Sequence, residues 1–322
     1  MQIYKFKSIL KPVLWGGDKL LKFKRLPDCD EPIGESWELS AMPGRESVVT
    51  EGEDAGLTLS QLVQRDGPSL VGEDVYRRYG DQFPLLIKLI DAKRDLSIQV
   101  HPDHEYAMAH HGCKSKTEMW YVLHVDEGAI VRTGFKRTVS VEEYDRKVAD
   151  GSVLDIINST ESHPGDVFFI PAGQIHAIGA GNLVVEIQQS SDITYRVWDY
   201  NRTDADGNYR ELHTRQAREA LSFEAYNGYR PYTPGSVGGI TPLVECPEFS
   251  VSRLEFDEGY QLPLPQFHSF VALVCIDGET TISVAEMPPV ALSKGETALI
   301  PAIAADVEMK GSAQLLMASI PF

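Results

Sequence analysis

Short β-type runs, each closed by glycine, proline or aspartate, recur along most of the chain and restrict it to architectures in which many brief strands pair with distant partners. They read PLLIKLI (84–90), LSIQV (96–100), EMWYVLHV (118–125), GDVFFIPAG (165–173), NLVVEIQQ (182–189) and TYRVWDY (194–200), then FSVSRLEF (249–256), FVALVCI (270–276), TTISVA (280–285) and TALIPA (297–302). Val, Ile, Phe, Tyr and Trp suit a pleated, half-buried surface, and strands at this spacing predict a sandwich or barrel. Helical periodicity interrupts the pattern at roughly 57–79, with Thr58 and Ser60 as capping residues, at 139–149 after Thr138, and near 214–221. The polar stretch NRTDADGNYRELH (201–213) is the candidate linker.

An internal repeat narrows the fold further. GDVFFIPAGQIHAI, from Gly165, aligns with GETALIPAIAADVEM, from Gly295, and upstream WYVLHVDEG (120–128) resembles VALVCIDGE (271–279). Two signals recurring in the same order predict two related β-barrels in tandem, the first enlarged by the helical insertion near 138–155. A division at residue 235 follows: 1–235 as the larger unit and 236–322 as the smaller.

The formal charge of -17 excludes nucleic acid and anionic membranes as expected partners, because both are bound through clustered Lys and Arg. No apolar run approaches the ~18 residues of a membrane span, and MQIYKFKSILKPVLWGG has no apolar core ending in small residues, so a cytoplasmic protein is expected. The cysteines Cys29, Cys113, Cys246 and Cys275 form no C-x-x-C pair and are expected to be reduced and incidental.

Chemistry concentrates in the first unit. LSIQVHPDHEYA alternates so that Gln99 and His101 share one strand face; Glu118 opens the next strand, and His176 follows a turn at Gly173. One carboxylate, two imidazoles and an amide oxygen form an N/O donor set suited to zinc or another divalent first-row ion. His104, His110 and His111 lie in a polar stretch and are expected at the surface. In the repeat, His176 aligns with Asp306 and Glu118 with Ser269, so one metal is expected, in the first unit.

PLLIKLIDAKRDLSIQVHPDHEYA, KTEMWY, GDVFFIPAGQIHAI, YRVWDYNR, LWGG (14–17) and GESWELS (34–40) together resemble the type I mannose-6-phosphate isomerases, across roughly residues 10–220. The resemblance implies a mainly β fold of tandem cupin (jelly-roll) barrels with a few helices near the first, the second degenerate and metal-free. It implies one Zn2+ per chain held by Gln99, His101, Glu118 and His176, a catalytic Arg196, and a substrate site lined by Lys88, Ser97 and Lys116. The reaction implied is interconversion of mannose 6-phosphate and fructose 6-phosphate through an enediol-type intermediate. Such a reaction needs a group to move the proton, and a metal-bound water, Lys116 and Glu186 are the candidates. KSKTE stands where Gly-Lys-Thr-Glu is more usual. Two other classes share the donor set: a non-catalytic sugar-binding cupin, and an iron-dependent dioxygenase using His101, Glu118 and His176 as a facial triad. The amide of Gln99 and the cations Lys88, Lys116 and Arg196 favour the phosphorylated sugar.

Overall fold

The computed structural model describes residues 1–203 and 206–321. Its strands assemble into three large sheets. The first is seven-stranded, in the order Tyr229–Arg230, Val167–Ile170, Glu118–Val125, Asn182–Gln189, Leu85–Ala92, Ile33–Leu39, Ile9–Gly17. The second is five-stranded, in the order Ile157–Glu161, Ile130–Phe135, His176–Ile178, Ile98–Val100, Tyr195–Trp198. The third gathers the C-terminal strands, led by the long partners Val271–Val284 and Asp306–Ser319. The strands Ile9–Gly17, Ile33–Leu39, Ile130–Phe135, Ile157–Glu161 and Asp306–Ser319 carry no clean β signal in sequence, and FVALVCI and TTISVA are one strand with a bulge after Cys275.

The seven-stranded sheet is buried on both faces, which is why Leu85–Ala92 and Asn182–Gln189 are buried throughout. On one side, Leu85, Ile87, Leu89, Met119, Leu183, Val185 and Ile187 pack against the helical segment and the third sheet in one continuous core. On the other side, Ile90, Trp120, Val122, Phe168 and Val184 meet Val131 and Ile178 of the five-stranded sheet, forming an apolar floor. The outer face of the five-stranded sheet is covered by Val141–Ala149 and Thr214–Ala220. The third sheet encloses a core of its own, including Leu254, Phe256, Leu273, Cys275, Leu292 and Leu315. The chain's first strand, Tyr4–Lys5, pairs with Thr297–Ile300 of that sheet.

The segment 57–79 is three short helices instead of one. Thr58 and Gln61 form a capping box on Leu59–Asp66, and Gly67 and Gly72, both at positive φ, break the chain before Pro68–Val71 and Glu73–Tyr79. Ser140, not Thr138, caps Val141–Ala149. The stretch 201–213, of which Asp204 and Ala205 lie outside the described residues, is not a free linker: Arg202 and Arg210 both reach Asp199, and the His213 N–H donates to the Arg196 carbonyl. The four cysteines are free. Among the described residues, no helix is long and apolar enough to cross a membrane.

The repeat is real at the level of pairing, with one correction. Glu118–Val125 pairs antiparallel with Val167–Ile170, and Val271–Val284 pairs in the same way with Thr297–Ile300. Val167 faces Tyr121, whereas its counterpart Thr297 faces Val274. Glu118 therefore corresponds to Val271 and not to Ser269, a shift of one pleat that keeps the face but changes the residue. His176 and Asp306 each open the following strand, as aligned. Neither Val271, an apolar residue, nor exposed Asp306 reconstitutes the cluster.

Candidate active site

Strand register alone lines up much of the site. In the five-stranded sheet, Thr133 faces His176, His176 faces Gln99, and Gln99 faces Arg196, so these four side chains project from one face in a row. Ser97, two residues before Gln99, shares that face, and Arg196 Nε donates to its hydroxyl at 3.3 Å. His101 lies just beyond Ile98–Val100.

The facing sheet supplies the opposite wall. Glu118 begins its strand opposite Gln188, and the row Trp120, Glu186, Lys88, Trp37 crosses four strands in register. Lys116, two residues before Glu118, points the same way and brings its Nζ to 2.5 Å from Glu118 Oε2, 3.0 Å from His101 Nε2 and 4.0 Å from Glu186 Oε1. Lys88 Nζ meets Glu186 Oε2 at 2.9 Å, and Trp120 Nε1 donates to Glu186 Oε1 at 3.0 Å. Beyond Lys88, Glu35 accepts from Trp37 Nε1 at 2.6 Å and pairs with Lys11 at 3.5 Å. Alternating charges thus run inward from the sheet edge to Glu118.

His101, Glu118 and His176 offer ligand atoms within 4.8 Å of one another, and all three are buried. Each imidazole is held by a backbone carbonyl: His101 Nδ1 lies 2.7 Å from Ile193 O, and His176 Nδ1 lies 2.9 Å from Gln174 O. A carbonyl only accepts, so each Nδ1 carries the proton and each Nε2 presents its lone pair to the cluster. Burial pushes the His176 imidazolium down to about 3, and burial with the Lys116 ammonium lowers His101 as well, so both rings are neutral near pH 7. Burial alone would raise the Glu118 carboxyl, but the Lys116 ammonium at 2.5 Å outweighs it and holds it well below the usual carboxylate range.

Glu118 Oε1 and His176 Nε2 are buried without a hydrogen-bond partner while standing 3.3 Å apart. Two acceptors facing each other across that distance, beside a second imidazole lone pair, fit a cation that bonds both. Every residue expected at the site, Lys88, Ser97, Gln99, His101, Lys116, Glu118, His176 and Arg196, lies on or beside the two facing walls. His104, His110 and His111 lie exposed on one helix and take no part in the cluster, although His111 Nε2 meets the Tyr195 hydroxyl at 2.5 Å. Sequence reasoning does not single out Trp37, Glu35 or Gln188, whose placement depends on pairing between strands distant in the chain. The alternation of GESWELS, with Glu35 and Trp37 in phase, was the one available hint.

Comparison with known proteins agrees with this geometry. A family model described as the catalytic domain of type I phosphomannose isomerase matches residues 3–141, and one described as the cupin domain of mannose-6-phosphate isomerase matches residues 239–320. The mannose-6-phosphate isomerase ManA of Bacillus subtilis is 34% identical over 98% of this chain and 98% of its own. The mannose-6-phosphate isomerase of Streptococcus mutans is 34% identical over 92% of this chain and 91% of its own. A crystal structure of the Bacillus subtilis mannose 6-phosphate isomerase superposes with a TM-score of 0.88 at 32% identity, covering 99% of this chain and 100% of the other. A zinc-bound mannose 6-phosphate isomerase shares the fold, with a TM-score of 0.81 at 17% identity. Built mainly of β-strands around a buried His/Glu/His cluster, the chain belongs to the type I phosphomannose isomerase family.

Proposed function

We propose that this protein is a zinc-dependent aldose-ketose isomerase that interconverts D-mannose 6-phosphate and D-fructose 6-phosphate through an enediol-type intermediate. The observation that carries the reading is the pair of orphaned, buried acceptors, Glu118 Oε1 and His176 Nε2, beside His101 with its tautomer set. One zinc per chain would be held by His101, Glu118 and His176, with Gln99 as a fourth donor from the same row. When bound, zinc supplies Lewis-acid polarisation of the sugar oxygens.

The chain's own residues account for the rest. Moving a carbonyl between C1 and C2 removes a carbon-bound proton and builds negative charge on oxygen. The Arg196 guanidinium, braced by Ser97 and by the Glu211 carbonyl at 2.7 Å, stabilises that charge from a fixed position. Glu186 and Lys116 are the titratable groups beside the cluster that can carry the proton. Lys88, Ser97 and Lys116 bind the sugar phosphate and its hydroxyls. Within an acidic chain these cations must act locally, inside about one Debye length of ~8 Å. The same reading treats the chain as tandem cupin units, residues 1–235 catalytic and 236–322 degenerate, supported by the recurrence of the antiparallel strand pair.

Dialysis against a chelator should abolish isomerisation of mannose 6-phosphate in a coupled assay, and added zinc should restore it as metal content returns to one per chain. Full turnover by metal-free protein would overturn the proposal. Arg196→Ala should lower kcat by roughly 10²–10³-fold while zinc is retained; loss of zinc instead would make Arg196 structural.

A further inference from the structure

Two buried glutamines end the strand Asn182–Gln189, and alternation turns them to opposite faces. Gln188 stands opposite Glu118 on the cavity side. Gln189 faces the other way, toward the segment that leads into Glu118. Its Oε1 accepts from the Ser115 hydroxyl at 2.9 Å and from the Thr117 N–H at 2.9 Å, and its own N–H donates to the Thr117 carbonyl at 3.1 Å. Thr117 Oγ1 in turn accepts from the Ala172 N–H at 3.3 Å. Residues 114–117 belong to no helix or strand, yet Ser115, Lys116 and Thr117 are all buried.

We propose that Gln189 is a positioning residue for the reaction: one side-chain oxygen holds both neighbours of Lys116, by the Ser115 hydroxyl and the Thr117 backbone N–H, and so sets where the Lys116 ammonium stands among His101, Glu118 and Glu186. The Ser115 hydroxyl and the Thr117 backbone are turned to Gln189 while the Lys116 side chain reaches His101 and Glu118, so the anchor acts through the backbone. This rests on the reading of Lys116 as part of the isomerase site. Only the acceptor is used, since both bonds enter Oε1, and a carboxylate in the same place accepts the same two hydrogens. A side chain of similar length without an acceptor leaves the Ser115 hydroxyl and the Thr117 N–H buried and unpaired, and the loop relaxes to pair them elsewhere.

The test uses zinc-loaded, full-length Gln189→Leu, Gln189→Glu and Ser115→Ala, with two readouts. Amide hydrogen exchange at Thr117 reports the anchor without substrate; kcat and KM report its consequence. In Gln189→Leu, Thr117 exchange should accelerate at least tenfold and kcat fall about 10–100-fold, the range for losing a residue that orients a functional side chain, with KM within about twofold. Gln189→Glu should retain slow exchange and most of kcat. Ser115→Ala, which removes one donor and keeps the other, should fall between. Unchanged Thr117 exchange in Gln189→Leu, a Gln189→Glu variant as impaired as Gln189→Leu, or a loosened loop with undiminished kcat each overturns the proposal. Wild-type protein inactive on mannose 6-phosphate would instead sink the isomerase reading, and the exchange data would still decide whether the anchor exists.

Discussion

Removing the Lys88 ammonium should destabilise the protein measurably even without metal or substrate. Lys88 and Glu186 are both nearly inaccessible, with side chains 6% and 4% exposed, and sit in the middle of a sheet covered on both faces. Burial opposes the Lys88 charge, but Glu186 and Glu35 more than compensate and raise its pKa, so the ammonium persists. At the 2.9 Å separation and an effective dielectric near 20, the attraction is about 6 kcal/mol, against which both desolvation penalties must be set. In Lys88→Met, Glu186 keeps the Trp120 N–H and the Lys116 ammonium, whose 4.0 Å separation contributes about 4 kcal/mol by the same estimate. That residual partner places the expected loss at about 3 kcal/mol, the low end for breaking a buried pair. Urea unfolding of metal-free protein, followed by tryptophan fluorescence, should show a midpoint lower by about 1 M at unchanged slope, taking a slope near 3 kcal/mol/M. Adding Glu186→Gln to Lys88→Met removes the stranded charge and should recover at least half of the loss. A midpoint shift under about 0.3 M for the single variant, or a double variant less stable than the single, would refute the electrostatic account.

Three further outcomes follow from other parts of the molecule. Burial, reinforced by Arg78, pushes Lys114 down to about 8; the unfolded lysine stays protonated to about 10.4, so this group's destabilising effect is full below pH 8 and is relieved as pH rises toward 10. At pH 8 Lys114 should be acylated ahead of the surface lysines and more slowly in Arg78→Ala, as read by peptide mapping; indifference to Arg78 would be contrary evidence. Lys116 Nζ engages His101 Nε2, an atom that would bind zinc, and Glu118 Oε2 of the carboxylate that would bind it, so Lys116→Met should bind zinc at least tenfold more tightly by chelator competition while losing isomerase activity; weaker binding would contradict the shared site. Gly134, at φ 71° beside Thr133, has no room for a side chain: a Cβ would lie 2.2 Å from the Tyr226 carbonyl oxygen, so Gly134→Ala should cost about 3 kcal/mol and visibly lower Tm, and an unchanged Tm would show that this corner yields.

Much of the site was legible in one dimension because its chemistry is local. The Q-x-H alternation puts Gln99 and His101 on one face whatever lies beyond. Helix ends were less legible: the apolar pattern across 57–79 continues through Gly67 and Gly72, while the backbone breaks at both. The repeat was found in order but misplaced by one pleat, because two apolar strands slid by two residues look almost alike in composition and only the pairing of Val167 with Tyr121, and of Thr297 with Val274, resolves them.

By itself, then, the amino-acid order determined a mainly β chain, its ligand-type residues and the loss of those residues in the second repeat, since alternation and side-chain chemistry act over a few neighbours. Tertiary structure alone decided that Thr133, His176, Gln99 and Arg196 form one row, that Glu186 stands between two lysines, and that Gln189 reaches Ser115 and Thr117. Those contacts join residues far apart in the chain, and strand register, which no local signal encodes, is set by which apolar faces are buried together.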